Sequence, residues 1–463
     1  MFPATSYQAR RQKLVQKMDE GIILFLGNND SPMNYTDNIY PYRQDSNFLY
    51  FLGLDLPQFA AILDIDSGIC TLYGDDVSVE MIVWTGPQAS ARELADRSGI
   101  EKVEPSNRLL EDISRAKSQG RQIHFFPPYR FENMIRLGEM LDIPVRAIKE
   151  SSSLSLVQAV IDLRSIKSEE EIVELDRACS ITADMHIAAM KTARPGIKES
   201  EVVAAVKQIA LQHGGDVSYP VIGTIHGETL HNHHYHHPLK SGQLFLLDAG
   251  AETDTRYAGD MTRTFPVDKA FSQQQKEIYQ IVLDTENRAI EMLRPGISYK
   301  EVHLEAARVI TKGLQALGIM KGELESSIHE GAHALFFPHG LGHMIGLDVH
   351  DMEDLGEDHV GYDSSIQRST QFGLKSLRLG RKLEVGFVLT VEPGIYFIPQ
   401  LIDNWKAANK ASAYVNYDAL DAYRSFGGIR IEEDYLITTS GSKLLGKALA
   451  KSISDVEEIR KSI

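Results

Sequence analysis

One motif occurs twice in the second part of this chain of 463 residues. Arg194-Pro-Gly-Ile197 is followed by Glu201-Val202, and one hundred residues later Arg294-Pro-Gly-Ile297 is followed by Glu301-Val302. In each copy a long helix-forming stretch precedes the Arg-Pro-Gly, which ends it, and a second amphipathic helix follows. Because the trailing Glu-Val also matches, a duplicated half-domain explains the pattern better than chance recurrence of a common helix stop. The repeat therefore predicts two halves related by a pseudo-two-fold axis.

Strands that carry acidic residues at their ends follow each copy of the motif. After the first copy, residues 244–248 end at Asp248, and residues 259–264 carry Asp260 near their start. After the second copy, residues 388–392 end at Glu392, and residues 428–433 carry Glu432. Asp248-Ala-Gly corresponds to Glu392-Pro-Gly, and Asp260 corresponds to Glu432. Two symmetric halves would therefore bring four carboxylates to one central point.

Four carboxylates at the ends of apolar strands would repel one another and would be costly to bury, and bound cations remove both costs. Any one of these acids could instead cap a turn or pair with an arginine, but four in symmetric positions favour metal. Carboxylates with one imidazole and no thiolate suit Mn²⁺, and Co²⁺ and Zn²⁺ also fit. Two such ions, roughly 3.5 to 4 Å apart, can activate water and polarise a carbonyl, so the pattern predicts hydrolysis.

The first third of the chain is organised differently. Apolar runs at residues 21–27, 59–63, 81–84 and 123–126 alternate with helical or turn-rich stretches, which predicts an α/β domain. A serine-rich stretch then leads to Ser168, which can form a capping box with Glu171 at the start of a charged helix. The boundary is placed near residue 165, which gives one domain at 1–164 and a second at 165–463.

Composition argues against several classes of function. The net charge of −16 disfavours nucleic acid as a partner, because proteins that bind it usually present a basic face. No apolar run approaches the roughly 20 residues that span a bilayer, and the first residues lack the apolar core of a signal peptide. Cys70 and Cys179 are far apart and form no CxxC, which is typical of reduced packing residues. These features predict a soluble cytoplasmic protein with no membrane partner.

A longer motif resembles a known family. Residues 339–351, His-Gly-Leu-Gly-His-Met-Ile-Gly-Leu-Asp-Val-His-Asp, resemble the proline-peptidase signature of the pita-bread metallopeptidases. The family's other motifs are similar to Asp248-Ala-Gly, Asp260-Met-Thr-Arg-Thr264, Thr390-Val-Glu392-Pro-Gly394 and Gly428-Ile-Arg430-Ile-Glu432, in the same order. The segment from Tyr42 to Phe51 resembles the amino-terminal domain of aminopeptidase P. The resemblance implies an α/β creatinase-like domain at 1–164 and an α+β pita-bread catalytic domain at 165–463.

The resemblance also implies residue roles. Five side chains would hold two divalent cations: Asp248, Asp260, His343, Glu392 and Glu432. Asp260 and Glu432 would bridge both ions, Asp248 would complete one, and His343 with Glu392 would complete the other. Catalytic roles would fall on Glu392, which takes the proton of the bridging water, and on His231, His350 and Arg430. Substrate contacts would fall on His231, His339 and His350, with His339 at the proline pocket.

Two stretches depart from the family pattern. The interval from Asp248 to Asp260 is one residue longer than usual, and the extra residue is expected between Glu252 and Arg256 as a bulge or looser turn. The insertion before Glu392 contains residues 373–378, Gly-Leu-Lys-Ser-Leu-Arg, which resemble prolidases. Only His231 of the histidine-rich run 231–237 is given a role, and its other four histidines are expected to lie in a solvated loop or at a pocket rim.

The predicted function is an Xaa-Pro aminopeptidase, which removes the amino-terminal residue from peptides with proline in second position. The alternative is an Xaa-Pro dipeptidase, or prolidase, which uses the same chemistry on dipeptides alone. A third reading, a pita-bread binding protein without catalysis, is disfavoured because all five ligand positions are present. The amino-terminal domain mediates oligomers in the resembled family, so a homodimer or higher homo-oligomer is expected.

Overall fold

The computed structural model describes residues 2–462 as two compact units. The first comprises residues 2–164 with 352–356, and the second comprises residues 165–351 with 357–462. None of the helices in residues 2–462 has the length and apolar character that crossing a membrane requires.

The first unit is an α/β domain with one five-stranded sheet. Its helices are α1 (Ala4–Val15), α2 (Ser46–Leu52), α3 (Val79–Thr85), α4 (Ala91–Arg97), α5 (Arg108–Ser118), α6 (Phe131–Leu141) and α7 (Leu154–Ser165). Its strands are β1 (Ile22–Leu26), β2 (Ala60–Asp64), β3 (Cys70–Tyr73), β4 (Lys102–Glu104) and β5 (Ile123–His124). The sheet order is β4-β3-β2-β1-β5, with β1 antiparallel to β2 and parallel to β5. Ile22 and Ile62 from the sheet pack with Ile113 of α5 and Leu137 of α6, which forms the core.

The apolar run at residues 81–84, which the sequence predicted as a strand, lies in helix α3, so that prediction was wrong. The Ser78 hydroxyl accepts a hydrogen bond from the main-chain N–H of Met81 and caps the helix. Gly86 ends it at a positive φ of 76°. Four consecutive apolar residues carry no periodicity that separates a strand from a helix. No residue of α3 is buried, and Trp84 is 80% exposed.

The second unit contains the duplicated part of the sequence. Its helices are α8 (Glu169–Thr192), α9 (Glu199–Gln212), α10 (Gln273–Met292), α11 (Tyr299–Ala316), α12 (Leu324–His329), α13 (Glu357–Val360), α14 (Pro399–Ala407) and α15 (Ile453–Lys461). Its strands are β6 (Asp216–Val217), β7 (Ile222–Thr224), β8 (Leu244–Ala249), β9 (Ala251–Glu252), β10 (Met261–Pro266), β11 (Val388–Val391), β12 (Gly394–Tyr396), β13 (Gly428–Arg430), β14 (Glu433–Thr438) and β15 (Gly441–Leu444).

Each copy of the Arg-Pro-Gly motif separates two helices, α8 from α9 and α10 from α11. The capping box at Ser168 and Glu171 begins α8, and that at Ser272 and Gln275 begins α10. A three-stranded sheet follows in each half, β10-β8-β7 in the first and β11-β14-β15 in the second. The second unit therefore has the internal repeat that the sequence predicted.

The run at residues 428–433 is interrupted, although the sequence indicated one strand. Strand β13 pairs with β12, whereas β14 pairs with β11. Glu432 lies between them, and its main-chain N–H donates to the Thr262 carbonyl of the other half at 3.0 Å. This bridge between halves draws the chain out of both sheets at the position of the acid.

The turn expected between Glu252 and Arg256 lies in the hairpin that leads to Asp260. The Thr253 N–H donates to the Tyr257 carbonyl at 3.0 Å, and Arg256 adopts a left-handed φ of 70°. The hairpin closes again before Asp260, where the Gly259 N–H donates to the Ala251 carbonyl at 2.9 Å. The looser turn therefore does not displace Asp260 from the start of β10.

Candidate metal centre

A cavity of about 480 Å³ opens in the second unit at the ends of the repeated strands. All nine side chains that the sequence singled out line it: His231, Asp248, Asp260, His339, His343, His350, Glu392, Arg430 and Glu432. Pro220, Ile222, Leu230 and Val349 add apolar surface to the same wall. The fold thus gathers residues from both halves of the repeat around one space.

Four carboxylates reach the cavity from strand ends. Asp248 lies near the end of β8 and Asp260 directly precedes β10, while Glu392 follows β11 and Glu432 separates β13 from β14. The two halves are joined beside them, because the Thr262 hydroxyl donates to Glu432 Oε2 at 2.7 Å. One acid of the second half is thereby held against the first half.

The signature loop brings an imidazole to the carboxylates. The Glu392 N–H donates to the Leu341 carbonyl at 2.8 Å, and the Thr390 N–H donates to that of His343 at 3.0 Å, so the loop runs alongside β11. This approach requires glycine at position 342, since an added Cβ would lie 2.1 Å from the Thr390 carbonyl oxygen.

His343 is oriented as a metal ligand. Its Nδ1 lies 3.0 Å from the Met344 carbonyl oxygen, so Nδ1–H donates there and Nε2 faces the carboxylates. Nε2 lies 3.4 Å from Asp260 Oδ2 and 3.7 Å from Glu392 Oε1. One ligand atom each from Asp260, His343 and Glu432 lie within 4.8 Å of one another, which is a spacing that can hold an ion.

Burial and mutual repulsion shape the protonation of these acids. Burial, with the neighbouring Asp260, raises the pKa of Asp248 against the opposing pull of Arg430. Burial also raises the pKa of Glu392 to about 7 and that of Glu432 well above its usual range. Burial is also the largest single influence on Asp260 and would raise its pKa, but the hydrogen bond and charge of His343, the hydrogen bond from Tyr219 and the charge of His350 together lower it.

The same contacts act on His343. Burial alone would lower its pKa, yet the neighbouring Asp260 and Glu392 raise it to about 9. Without a cation, the negative charge of the acids is therefore reduced by protons held on Glu392, Glu432 and His343. A set of four oxygen-donor side chains with one imidazole fits divalent cations, which would replace those protons.

Three further histidines surround the acids. The His350 ring centroid lies 4.3 Å from that of His343. His339 Nδ1 lies 3.6 Å from Glu392 Oε2, and burial lowers the pKa of His339 to about 3, so this ring is neutral. Burial and the positive charge of Arg430 also lower the pKa of His231.

Two tyrosines that the sequence did not single out contact the centre. The Tyr219 hydroxyl lies within hydrogen-bond distance of both Asp248 and Asp260, so its single proton is shared between the two carboxylates. The Tyr396 hydroxyl accepts from Arg430 Nη1 at 2.7 Å and lies 2.9 Å from His339 Nε2. No motif marks Tyr219, but Tyr396 lies four residues after Glu392 on β12, which is a signal that the sequence offered.

Two buried arginines, Arg430 and Arg263, form hydrogen bonds that position the acidic residues of the centre. Arg430 Nη2 lies 2.5 Å from Asp248 Oδ2, and its Nε donates to the Thr262 hydroxyl at 3.1 Å. The fully buried guanidinium of Arg263 donates five hydrogen bonds, including those to the main-chain carbonyls of Thr262 at 3.0 Å and Glu432 at 2.9 Å. Arg263 therefore ties the strand after Asp260 to the backbone of Glu432.

The remaining histidines of the 231–237 run divide between two settings. His233 lines the cavity. His234 and His236 are exposed, and His237 is half-buried. His333, which the sequence left without a role, is buried in a short helical turn outside the cavity lining.

Two family profiles match the chain. The profile of Metallopeptidase family M24 matches residues 174–439, and that of the aminopeptidase P N-terminal domain matches residues 7–124. An Xaa-Pro aminopeptidase of Haemophilus influenzae is 32% identical over 465 residues, covering 99% of this chain and 97% of the relative. A human Xaa-Pro dipeptidase is 28% identical over 474 residues, covering 98% and 93%. Among solved structures, zinc-substituted aminopeptidase P of Escherichia coli in complex with product is 30% identical, with a TM-score of 0.81, covering 100% of this chain and 99% of that one.

We predict that Arg263→Lys weakens binding of Mn²⁺. Lysine offers three donors in place of five and cannot hold the Thr262 and Glu432 carbonyls together, and loss of such an outer contact typically costs about 10- to 100-fold in metal affinity. Isothermal titration calorimetry with Mn²⁺ measures the change.

Arg11→Lys is the matched control for this variant. Arg11 is buried in the first unit and donates to the main-chain carbonyls of Phe51, Ser98 and Gly99. Both variants should lose thermal stability, but only Arg263→Lys should lose metal affinity. Unchanged Mn²⁺ affinity in Arg263→Lys would show that the arginine does not position the ligands.

We predict that Mn²⁺ stabilises the protein more strongly as the pH rises from 4.5 to 9. Without cations the folded protein holds extra protons in this window, because the pKa of Glu392 is raised from 4.5 to about 7 and that of His343 from 6.5 to about 9. A folded state that binds extra protons loses stability as pH rises through those values, and ligand deprotonation also strengthens metal binding.

The measurement is the difference in unfolding temperature between Mn²⁺-loaded and EDTA-treated protein across this window. Buried neutral histidines such as His303, whose pKa burial lowers to about 3, affect both samples equally and cancel in the difference. Glu392→Gln should flatten the rise below pH 7. A difference that stays constant or falls with pH contradicts the prediction.

Proposed function

Because the chain belongs to Metallopeptidase family M24, we propose that it is an Xaa-Pro aminopeptidase, which hydrolyses the bond between an amino-terminal residue and the proline that follows. The observation that carries this proposal is the group of four carboxylates and one imidazole at the wall of a single cavity, in which all but the half-buried Glu392 are buried. The Haemophilus influenzae relative, which bears this name, matches nearly the whole chain.

We further propose that five side chains hold two divalent cations: Asp248, Asp260, His343, Glu392 and Glu432. Asp260 and Glu432 would bridge the ions, and the approach of one ligand atom from each to within 4.8 Å of the other supports that placement. Mn²⁺ is the proposed ion because oxygen ligands predominate, and Co²⁺ and Zn²⁺ also suit the set. Such ions supply activation of a water molecule and polarisation of the scissile carbonyl.

Side chains of the protein would transfer the proton of the attacking water. Glu392 is the proposed general base, which accepts a proton from the attacking water and returns one to the prolyl nitrogen. Its two oxygens face different imidazoles, Oε1 towards His343 at 3.7 Å and Oε2 towards His339 at 3.6 Å. Arg430 fixes Asp248 and does not itself need to touch the substrate.

Three histidines are proposed to contact the substrate. His350 and His231, which both line the cavity, would donate hydrogen bonds to the peptide, and His350 would stabilise the charge that develops on the carbonyl oxygen. The His339 ring packs edge-on against Phe337 and Tyr396, with ring centroids 4.9 and 5.4 Å away. This aromatic corner offers an apolar face that suits a proline ring.

An Xaa-Pro dipeptidase remains the second candidate. Ser376 and Arg378 come from the prolidase-like segment 373–378, and both line the cavity. Arg378 Nε lies 3.1 Å from Glu357 Oε1, which fixes the guanidinium in the wall. A cation there would favour a substrate whose carboxylate follows the proline directly. A binding protein without catalysis is disfavoured, since the full set of ligand side chains reaches one cavity.

We also propose that the protein is cytoplasmic and that its substrates are proline-containing peptides. Cys70 and Cys179 are both free and buried, which suits a reducing compartment. The net charge of −16 gives no support to nucleic acid as a partner.

We also propose that the protein is a homo-oligomer whose subunits meet through helix α3. Most of the large apolar side chains that are exposed in residues 2–462 belong to the first unit, and five are consecutive or nearly so on α3: Val79, Met81, Ile82, Val83 and Trp84. A second copy would cover this surface, because isologous contacts bury the same apolar patch on both partners.

The peptide series Ala-Pro, Ala-Pro-Ala and Ala-Ala-Ala tests the proposed activity on metal-stripped protein with and without Mn²⁺, with products identified by mass spectrometry. We expect Mn²⁺-dependent release of alanine from the two proline peptides and none from Ala-Ala-Ala. Release from Ala-Pro alone would establish the dipeptidase, and no release at all would contradict both.

Glu392→Gln should lower kcat by about 10²- to 10⁴-fold, because it removes the proposed general base. The matched control is Glu384→Gln, which neutralises an exposed glutamate paired with Arg381 at the surface. The control should retain full activity.

Trp84→Glu tests the proposed oligomer by light scattering after gel filtration. The native chain should run at twice or more its monomer mass of 51.7 kDa, and the variant should shift towards the monomer because a charge would enter an apolar interface. Leu211→Glu is the control, since Leu211 is 61% exposed on the second unit. A native monomer would rule the proposal out.

A further inference from the structure

The loop from Ile225 to His237 carries histidines that the proposed hydrolysis does not use. His226, His236 and His237 form a group on this loop, with ring centroids 4.9 Å apart for His226 and His237 and 4.2 Å apart for His236 and His237. His234 extends the group, 6.2 Å from His236. We name His226, His236 and His237 the histidine triplet.

A buried glutamate holds the two ends of the loop together. Glu199, at the start of α9, is fully buried, and its carboxylate accepts hydrogen bonds from the main-chain N–H groups of Ile225 at 3.0 Å and His237 at 3.1 Å. The Glu199 N–H in turn donates to the His237 carbonyl at 3.0 Å. One carboxylate therefore fixes the backbone beside both His226 and His237.

A hydroxyl completes this framework. The Thr224 hydroxyl donates to Glu199 at 3.1 Å and accepts from the His226 N–H at 2.9 Å and from the Asn232 amide at 3.0 Å. These hydrogen bonds offset the cost of burying the Glu199 carboxylate. The framework sets the positions from which the triplet rings project.

The ring of His226 is oriented as metal-ligating histidines usually are. Its Nδ1 lies 3.1 Å from Glu228 Oε1, so Nδ1–H donates to a carboxylate and Nε2 keeps its lone pair. A carboxylate behind the imidazole fixes the tautomer and raises the basicity of the ligating nitrogen. His226 is 45% exposed and His236 is exposed, so an ion reaches them from solvent.

From these contacts we propose that the histidine triplet binds one late transition-metal ion, Zn²⁺ or an ion of similar preference, separate from the carboxylate centre. Imidazoles without a carboxylate ligand select borderline ions such as Zn²⁺ over Mn²⁺. The triplet nitrogens do not converge as closely as those of Asp260, His343 and Glu432 do, so binding includes rotation of the exposed rings.

The two metal sites therefore differ in preference as well as in place. In Mn²⁺-loaded protein the carboxylate centre is already filled, and imidazoles bind Zn²⁺ more strongly than Mn²⁺, so added Zn²⁺ should occupy the triplet first. The loop also carries His231 and His233, which line the cavity, and an ion at the triplet would stiffen that wall.

In the experiment, Zn²⁺ is added to Mn²⁺-loaded protein and free ions are removed by gel filtration. The number of ions of each metal per chain is then measured by inductively coupled plasma mass spectrometry. We expect one Zn²⁺ per chain with the Mn²⁺ content unchanged. In the double variant His226→Gln and His237→Gln we expect this Zn²⁺ to be lost, with an affinity at least about tenfold weaker.

His236→Gln alone is a second variant, which alters only an exposed side chain and should weaken Zn²⁺ binding in the same direction. His329→Gln is the control, because that side chain is 87% exposed outside the loop, and it should keep the ion. The proposal is overturned if Zn²⁺ enters only as Mn²⁺ leaves, if no Zn²⁺ is retained, or if the triplet variants retain as much as the control.

The difference between native protein and triplet variants does not depend on the proposed hydrolysis. Should the carboxylate centre take Zn²⁺ in place of Mn²⁺, both proteins would do so equally, and the additional ion would still distinguish them. Failure of the peptide assay would therefore leave this result interpretable.

Discussion

The crowding of four acidic side chains around one cavity is the constraint on which the structure of the second unit depends. Asp248, Asp260, Glu392 and Glu432 lie at one cavity wall, and burial raises the pKa of three of them. Only Asp260, which His343 contacts, has its pKa lowered. Groups that resist ionisation in this way are stabilised as carboxylates by nearby positive charge. Divalent cations would meet that need, and the proposed pair would at the same time supply the means to hydrolyse an amide.

The scaffold keeps these acids together through contacts between the two halves of the repeat. Thr262 and Arg263, from the first half, bind the side chain and the backbone of Glu432 from the second. Arg430 returns the contact by binding Asp248. Each half therefore holds an acid of the other, which makes the spacing of the ligands a property of the whole unit and explains why a buried arginine outside the cavity should affect metal binding.

The residues proposed for hydrolysis and those proposed for substrate selection come from different parts of the second unit. The carboxylates and His343 come from strands and from a loop that hydrogen-bonds to β11, so they are rigidly placed. The residues that would distinguish substrates, including His231, His339 and Arg378, come from loops and from the prolidase-like insertion. A change in these loops can alter the length of peptide accepted without altering the hydrolytic step. The exposed helix α3 of the first unit bears on the proposed assembly and not on the chemistry.

The sequence alone determined the duplication, the start of α8 at its capping box, and nine of the side chains that line the cavity. These depend on local patterns and on motif spacing, which survive without three-dimensional context. The sequence misassigned residues 81–84, because four apolar residues have no period. It missed Tyr219, which no motif marks, and it missed the role of Arg263, because the motif that contains Arg263 does not show which groups the guanidinium contacts. Only the tertiary structure decided which backbone carbonyls Arg263 binds, that Tyr219 spans two acids, and that the chain breaks at Glu432. Most of these contacts join residues far apart in the sequence, such as Tyr219 with Asp260 and Arg263 with Glu432. The packing of the two halves, rather than any local preference, selects them.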